Sequence, residues 1–172
     1  MKTADTSFPG HSSSPPVTVD EGSVRASIRS LVQQQPFAVL CTQGSGQPYG
    51  SVVAYTMNDA LDTAVFATGR ATRKYNLLTE CDRVALVVDT RSAHPGELMS
   101  VEAITATGRA RELQEAERPP WAAALVTRHP QLKTFVDSPS TAIFTIEISR
   151  YLYVTRFQEV HHWAPCTDQG VG

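Results

Sequence analysis

Thr72, Arg73 and Lys74 are the residues whose types and spacing most clearly suit chemistry. They follow an apolar stretch, Thr63 to Thr68, that runs out through Gly69, and they open a segment of helical spacing. The first turn of a helix has unpaired N–H groups and the positive end of the helix dipole, which together suit an anion. A threonine at the cap adds a hydroxyl, and adjacent Arg and Lys add charge and further donors. Phosphate is the chemistry this pattern fits; ordinary helix capping is the competing account of the same residues.

Other reactive side chains carry weaker signals. His161 and His162 are adjacent on an expected strand, so they point to opposite faces and do not share a metal ion. No second ligand stands at a recognisable spacing from either, so no metal site is assigned. His94 and His129 lie beside prolines in expected loops, with no partner visible. Cys41 falls in an apolar strand and reads as an inert core thiol. Cys81 lies at a helix end rather than a start, away from the positive dipole end that activates thiols. Cys166 falls in a C-terminal tail. Gly44 and Gly46 belong to a hairpin turn with no following helix, which excludes a nucleotide loop.

The elements that must position these residues are read from periodicity. Val24, Ile28, Leu31 and Val32 recur at helical spacing, so a helix is expected over about 21–35, with Asp20 as its cap and Pro36 as its stop. Phe37–Thr42 and Tyr49–Met57 read as a hairpin across the turn 44–48. Thr63–Thr68 is a strand, and the helix that carries the anion motif runs to about Glu80. Asp82–Thr90 is a strand whose Val84-Ala85-Leu86-Val87-Val88 core is apolar on both faces, which is expected of a strand buried in a barrel or at an interface. Ser100–Glu112 is a further strand, and a helix spans about 116–129. Two last strands, about Thr141–Ile148 and Tyr151–Val160, lie either side of a Ser149-Arg150 turn. The sum is six or seven strands joined mainly by short turns. A mainly β fold is therefore expected: an antiparallel barrel with peripheral helices, ahead of an open α+β sheet.

Composition sets the outer bounds. A chain of 172 residues, 41% hydrophobic and 19% charged, fits one globular domain. The formal net charge of −2 gives no support to a nucleic-acid role. Three scattered cysteines suggest free thiols in a reducing compartment. No run approaches the ~18 apolar residues of a membrane span, and Met1–Asp20 lacks an apolar signal core, so a cytoplasmic protein is expected. Residues 1–20 read as a disordered tail, 21–164 as a single domain and 165–172 as a flexible C-terminal tail.

Two segments carry a resemblance. Phe66-Ala-Thr68-Gly-Arg-Ala-Thr72-Arg73-Lys74, followed by Asn76-Leu77, and Pro48-Tyr49-Gly50-Ser51-Val52-Val53-Ala54 look like the FMN-binding split-barrel family that includes pyridoxamine 5′-phosphate oxidase. The resemblance covers about Val24–Trp163. It implies a six- to seven-stranded antiparallel split barrel, a homodimer with FMN sites where the subunits meet, and an FMN-dependent oxidoreductase acting on a small molecule. By that resemblance Thr72, Arg73 and Lys74 hold the phosphate, and Thr68 contributes flavin contacts. Ser51, Val52, Val53 and Ala54 line the isoalloxazine through their main chain. Arg70 adds a cation, and Trp163 covers the ring. Ser51 stands where the oxidase has an arginine, and nothing after His161-His162-Trp163-Ala164-Pro165 matches the oxidase's substrate-binding Arg-Leu motif. The oxidase's own substrate is therefore not carried over. The family also contains members that bind haem or the deazaflavin F420, and a flavin carrier or sensor needs the same cradle as an enzyme. His161 or His162 would be the axial ligand of a haem. No side chain is named as catalytic; Tyr55, Arg91 and Trp163 are candidates for groups near the ring.

Overall fold

The fold is taken from a computed structural model, which describes residues 20–156 and 159–165. Helix α1, Glu21–Gln34, buries Val24, Ile28, Leu31 and Val32. Asp20 stands at its N-cap position, but its side chain makes no capping bond; its carbonyl accepts from the Ser23 and Val24 amides instead. The other end of α1 has no basic residue of its own. Arg128, from far along the chain, donates to the carbonyls of Val32, Gln33 and Gln35 and so neutralises that end.

Strands β1 (Phe37–Gly44) and β2 (Gln47–Met57) form the expected hairpin, with a tighter turn than 44–48. Ser45 and Gly46 both have positive φ, 51° and 78°, the two-residue turn whose twist matches that of the strands. Then come β3 (Thr63–Gly69), α2 (Arg73–Glu80), β4 (Arg83–Asp89) and β5 (Ala103–Glu112). Helices α3 (Arg118–Arg128) and α4 (Lys133–Val136) lead to β6 (Thr141–Thr155) and β7 (Glu159–Trp163).

All pairings are antiparallel. The order β3-β2-β1-β4-β5-β6-β7, with β3 also paired to β6, closes six strands into a barrel and leaves β7 as an added strand. Alternation sends Leu40, Val53, Tyr55, Phe66, Leu86, Ile104, Phe144 and Ile146 inward. A second core, Val65, Leu113, Leu125, Val136 and Ile143, lies outside the barrel wall beneath α3 and α4.

The structure corrects the expectations for Ser149-Arg150, Cys41, His129 and His94. Ser149-Arg150 is not a turn: β6 runs unbroken for 15 residues, with Ser149 as the extra residue of a bulge opposite Thr107/Gly108. Polar exposed residues there mimic a turn, but the bulge only bends the strand. A Cβ on Gly108 would stand 2.1 Å from the Glu147 carbonyl oxygen, so a side chain does not fit at the bend. Within one protomer β4 is buried on its inner face: Val84, Leu86 and Val88 are buried, while Ala85 and Val87 are partly exposed on the outside. Cys41 shares that outer face rather than the core, since Ala38, Leu40 and Thr42 take the inward positions of β1. Finally, His129 does have a partner. It is buried, its Nε2 lies 2.8 Å from the Tyr55 carbonyl, and its ring stacks on Phe37. His94 Nδ1 likewise sits 3.1 Å from the Thr90 carbonyl.

Candidate functional site

The barrel opens where β2 and β3 part. Their pairing is confined to Tyr55↔Phe66, Thr56↔Val65 and Met57↔Ala64. Beyond Tyr55, residues 49–54 of β2 remain paired to β1 but have no β3 partner, so one backbone edge of this segment is open. Opposite that edge, β3 ends and α2 begins. The split is thus flanked by Ser51–Ala54 on one side and by Thr68–Lys74 on the other.

Thr72 is the N-cap of α2, in extended backbone, as its place before the helix requires. Its Oγ1 accepts from the Tyr75 amide at 3.2 Å and donates to the Gly69 carbonyl at 2.8 Å. The buried Thr68 hydroxyl lies 3.1 Å away. The Thr72 hydroxyl proton is already used, so this side chain shapes the helix start and leaves the free donors to its neighbours. Among the described residues the amides of Arg73 and Lys74 have no acceptor. No acidic side chain lies in the first turn.

The charges here are reversed from the usual preference. Acidic residues favour a helix N-terminus and cations oppose it. Arg73 and Lys74 occupy the first two positions of α2, and neither has a carboxylate partner among the described residues. The Arg73 guanidinium lies over the Tyr49 ring at 5.0 Å, which ties α2 to the open segment of β2. Lys74 is half-buried, and burial holds its ammonium below the usual lysine range.

Arg70 is differently placed. Its guanidinium pairs with Glu112 at 2.6 Å and donates to the Tyr75 hydroxyl at 3.1 Å, and that hydroxyl donates to Glu112 at 3.0 Å. The expected extra cation is therefore engaged within the protein.

On β2, Val53 is buried and Val52 is 70% exposed on the outer face. Ser51 Oγ is buried without a hydrogen-bond partner among the described residues. The structure does not bring Trp163 to this cluster within one protomer. Trp163 pairs with Tyr151, while Gly69 pairs with Thr141. The ten residues of β6 between those pairings span about 30 Å. Trp163 instead packs on Tyr151 and beneath Arg25. Tyr55 is in the core, its hydroxyl donating to the Val32 carbonyl, and burial pushes its pKa up to about 12, so it is no proton donor or acceptor for a ligand. Arg91 is paired to Asp89 on the barrel's outside. His161 faces Glu159 at 3.5 Å and lies against Tyr153. Cys166 lies outside the described residues. Tyr75 and Glu112 escape sequence reasoning: nothing local marks them, and only barrel closure brings Glu112 to α2.

A closed antiparallel barrel, split at one seam and bearing an anion-ready helix start at the split, defines the class. The chain belongs to the pyridoxamine 5′-phosphate oxidase family, whose model matches residues 24–155. No curated protein matches it. Among solved structures it is similar to a haem binding protein from Mycobacterium smegmatis, at 17% identity and TM-score 0.74, covering 83% of this chain and 58% of that one. A protein from Clostridium acetobutylicum related to general stress protein 26, of the pyridoxine phosphate oxidase family, matches at 15% identity and TM-score 0.66, over 85% of this chain and 96% of that one. The haem storage protein of Vibrio cholerae matches at 12% identity and TM-score 0.59, over 72% and 89%. These likenesses establish the fold. The chain spans 58% of the length of the Mycobacterium protein. Among the described residues no helix is long and apolar enough to cross a membrane.

Proposed function

We propose that this protein binds FMN in the split between β2 and β3 and acts as an oxidoreductase on a small molecule. One observation carries the reading: Arg73 and Lys74 stand at the positive end of α2 with two free amides and no carboxylate partner among the described residues. A phosphate monoester would turn each of these costs into a stabilising contact. Thr72 and Thr68 hold the helix start in shape for it. The open backbone edge of Ser51–Ala54 offers donors and acceptors to the polar rim of the flavin, and the unpartnered Ser51 hydroxyl lies on the same segment. Bound flavin would supply hydride or electron transfer, which no side chain can perform. The chain's own part is to bind, to orient and to exclude water.

A homodimer belongs to the same proposal. The outer face of β1, β2 and β4 carries Phe37, Val39, Val52 and Val87, with Val39 opposite both Val52 and Val87. Phe37 and Val52 are 54% and 70% exposed, the pattern of a face that a second copy covers. That second copy is also a means of bringing Trp163 near a site it does not reach in its own protomer.

The haem reading is supported by the likeness to two haem proteins; of its candidate ligands, His161 lies 3.5 Å from a Glu159 oxygen and His162 is exposed. Absorbance of the purified protein separates the two: flavin bands for FMN, a strong Soret band for haem. Titration of apo-protein with FMN and with riboflavin then tests the phosphate. FMN is expected to bind at least ~10-fold tighter, the scale of one charge-assisted contact. Equal affinities would end the phosphate reading. Turnover with a nicotinamide donor separates an enzyme from a carrier.

A further inference from the structure

Arg70, Tyr75 and Glu112 form a closed triangle, with sides of 2.6, 3.0 and 3.1 Å, beside the first turn of α2. Arg70 is two residues before the cap and its guanidinium also lies over the Tyr75 ring, at 5.6 Å. Tyr75 is the residue whose amide binds the Thr72 hydroxyl, so the triangle is mechanically joined to the cap. Without Glu112 three cations, Arg70, Arg73 and Lys74, would face one helix start. With it, Arg70 is neutralised and two remain without a carboxylate among the described residues.

Resting on the FMN reading, we propose that Glu112 sets the charge of the anion site: it withholds Arg70, so that two cations and the helix dipole are matched to a single phosphate monoester. A monoester carries roughly −1.5 to −2 at pH 7, which Arg73 and Lys74 balance. Arg70 is then not a phosphate ligand, although it lies within the phosphate-binding segment. Its place in the triangle orients Tyr75 and, through Tyr75, the Thr72 cap.

Two variants and their combination test this by fluorescence titration of apo-protein with FMN and riboflavin at two salt concentrations. Arg70→Ala unpairs Glu112 and is expected to lower the ratio of FMN to riboflavin affinity by roughly 3- to 10-fold, the effect of one added negative charge. Glu112→Gln keeps an acceptor for the Tyr75 hydroxyl and frees Arg70. It is expected to tighten FMN by roughly 3- to 10-fold, leave riboflavin unchanged and steepen the salt dependence, as one added unit charge near a half-exposed anion does. The Arg70→Ala/Glu112→Gln double variant is expected to lose that gain. A double variant whose FMN ratio stays below that of the wild type would overturn the proposal, making Arg70 a direct ligand. So would a Glu112→Gln protein whose FMN affinity is unchanged or lower. If Glu112→Gln does not fold, Arg70→Lys decides alone: it keeps the charge of the pair, so an unchanged ratio is expected and a drop would make the Arg70 guanidinium a direct ligand. Failure of the FMN reading itself looks different: the wild type would show no preference for FMN over riboflavin.

Discussion

Lys74 exposes a conflict between stability and binding that can be measured directly. Replacing it with Met keeps the aliphatic stem and nearly the same helix propensity, so the change reports on charge. In the apo-protein a cation in the first turn costs about 0.3–1 kcal/mol against the dipole. Lys74→Met is therefore expected to stabilise apo-protein by about 0.5 kcal/mol and raise Tm by ~1–2 °C, using ~2–4 °C per kcal/mol for a chain of this size. The same variant loses a charge-assisted contact worth about 1.5–3 kcal/mol. FMN affinity should fall ~10- to 100-fold, with riboflavin little changed. The pH dependence has a definite sign. Burial lowers the Lys74 pKa in the folded apo-protein, so the unfolded chain binds more protons between the folded and unfolded values. The cost of the charged lysine is present below the folded pKa and is relieved as pH rises towards the unfolded value. FMN affinity should decline over that same interval as the ammonium is lost. Differential scanning fluorimetry of apo-protein and calorimetric titration with both flavins make the test. A lower apo Tm for Lys74→Met, or equal losses for FMN and riboflavin, would refute the reasoning.

Three further outcomes are expected. Gly108→Ala forces a Cβ to within 2.1 Å of a backbone oxygen and should cost ~2 kcal/mol or more, read as a lower urea midpoint; an unchanged midpoint would mean the bulge is not tight. Arg128→Met removes the partner of three carbonyls at the end of α1 and a cation over Tyr55, and should cost about 1–2 kcal/mol, with faster amide exchange in α1. Val52→Glu, at a 70% exposed position, should leave the barrel folded but yield monomers in sedimentation; persistent dimers would place the contact elsewhere.

Elements bounded by strong local chemistry were legible in the sequence. Pro36, the Ser45-Gly46 turn and Thr72 fix their chain conformations within a few residues, and α1, the β1–β2 hairpin and α2 lie where those residues put them. What depends on distant partners was not legible. The Arg70–Glu112 pair forms only when closure of the barrel brings the two residues together. His129 reads as a loop residue until Tyr55 supplies a carbonyl. Val84 to Val88 has the same letters whether one face or two are buried. Ser149-Arg150 resembles a turn because exposure on a bent strand and exposure in a turn select the same polar residues.

The β3–β6 seam has a consequence for the order of folding. It joins Thr63 to Glu147 and Gly69 to Thr141, whereas β1 and β2 are joined by two residues. The hairpin closes a short loop and can form early, on a scale of ~1–10 μs for an isolated hairpin. The seam must await β4, β5 and the helices, and its loop-closure entropy is met late. Substitutions on the seam, such as at Ala67 or Ile143, should then act chiefly on the unfolding rate, and those in the hairpin on the folding rate. The lifetime of the closed barrel would be governed at β3, the strand that leads into α2.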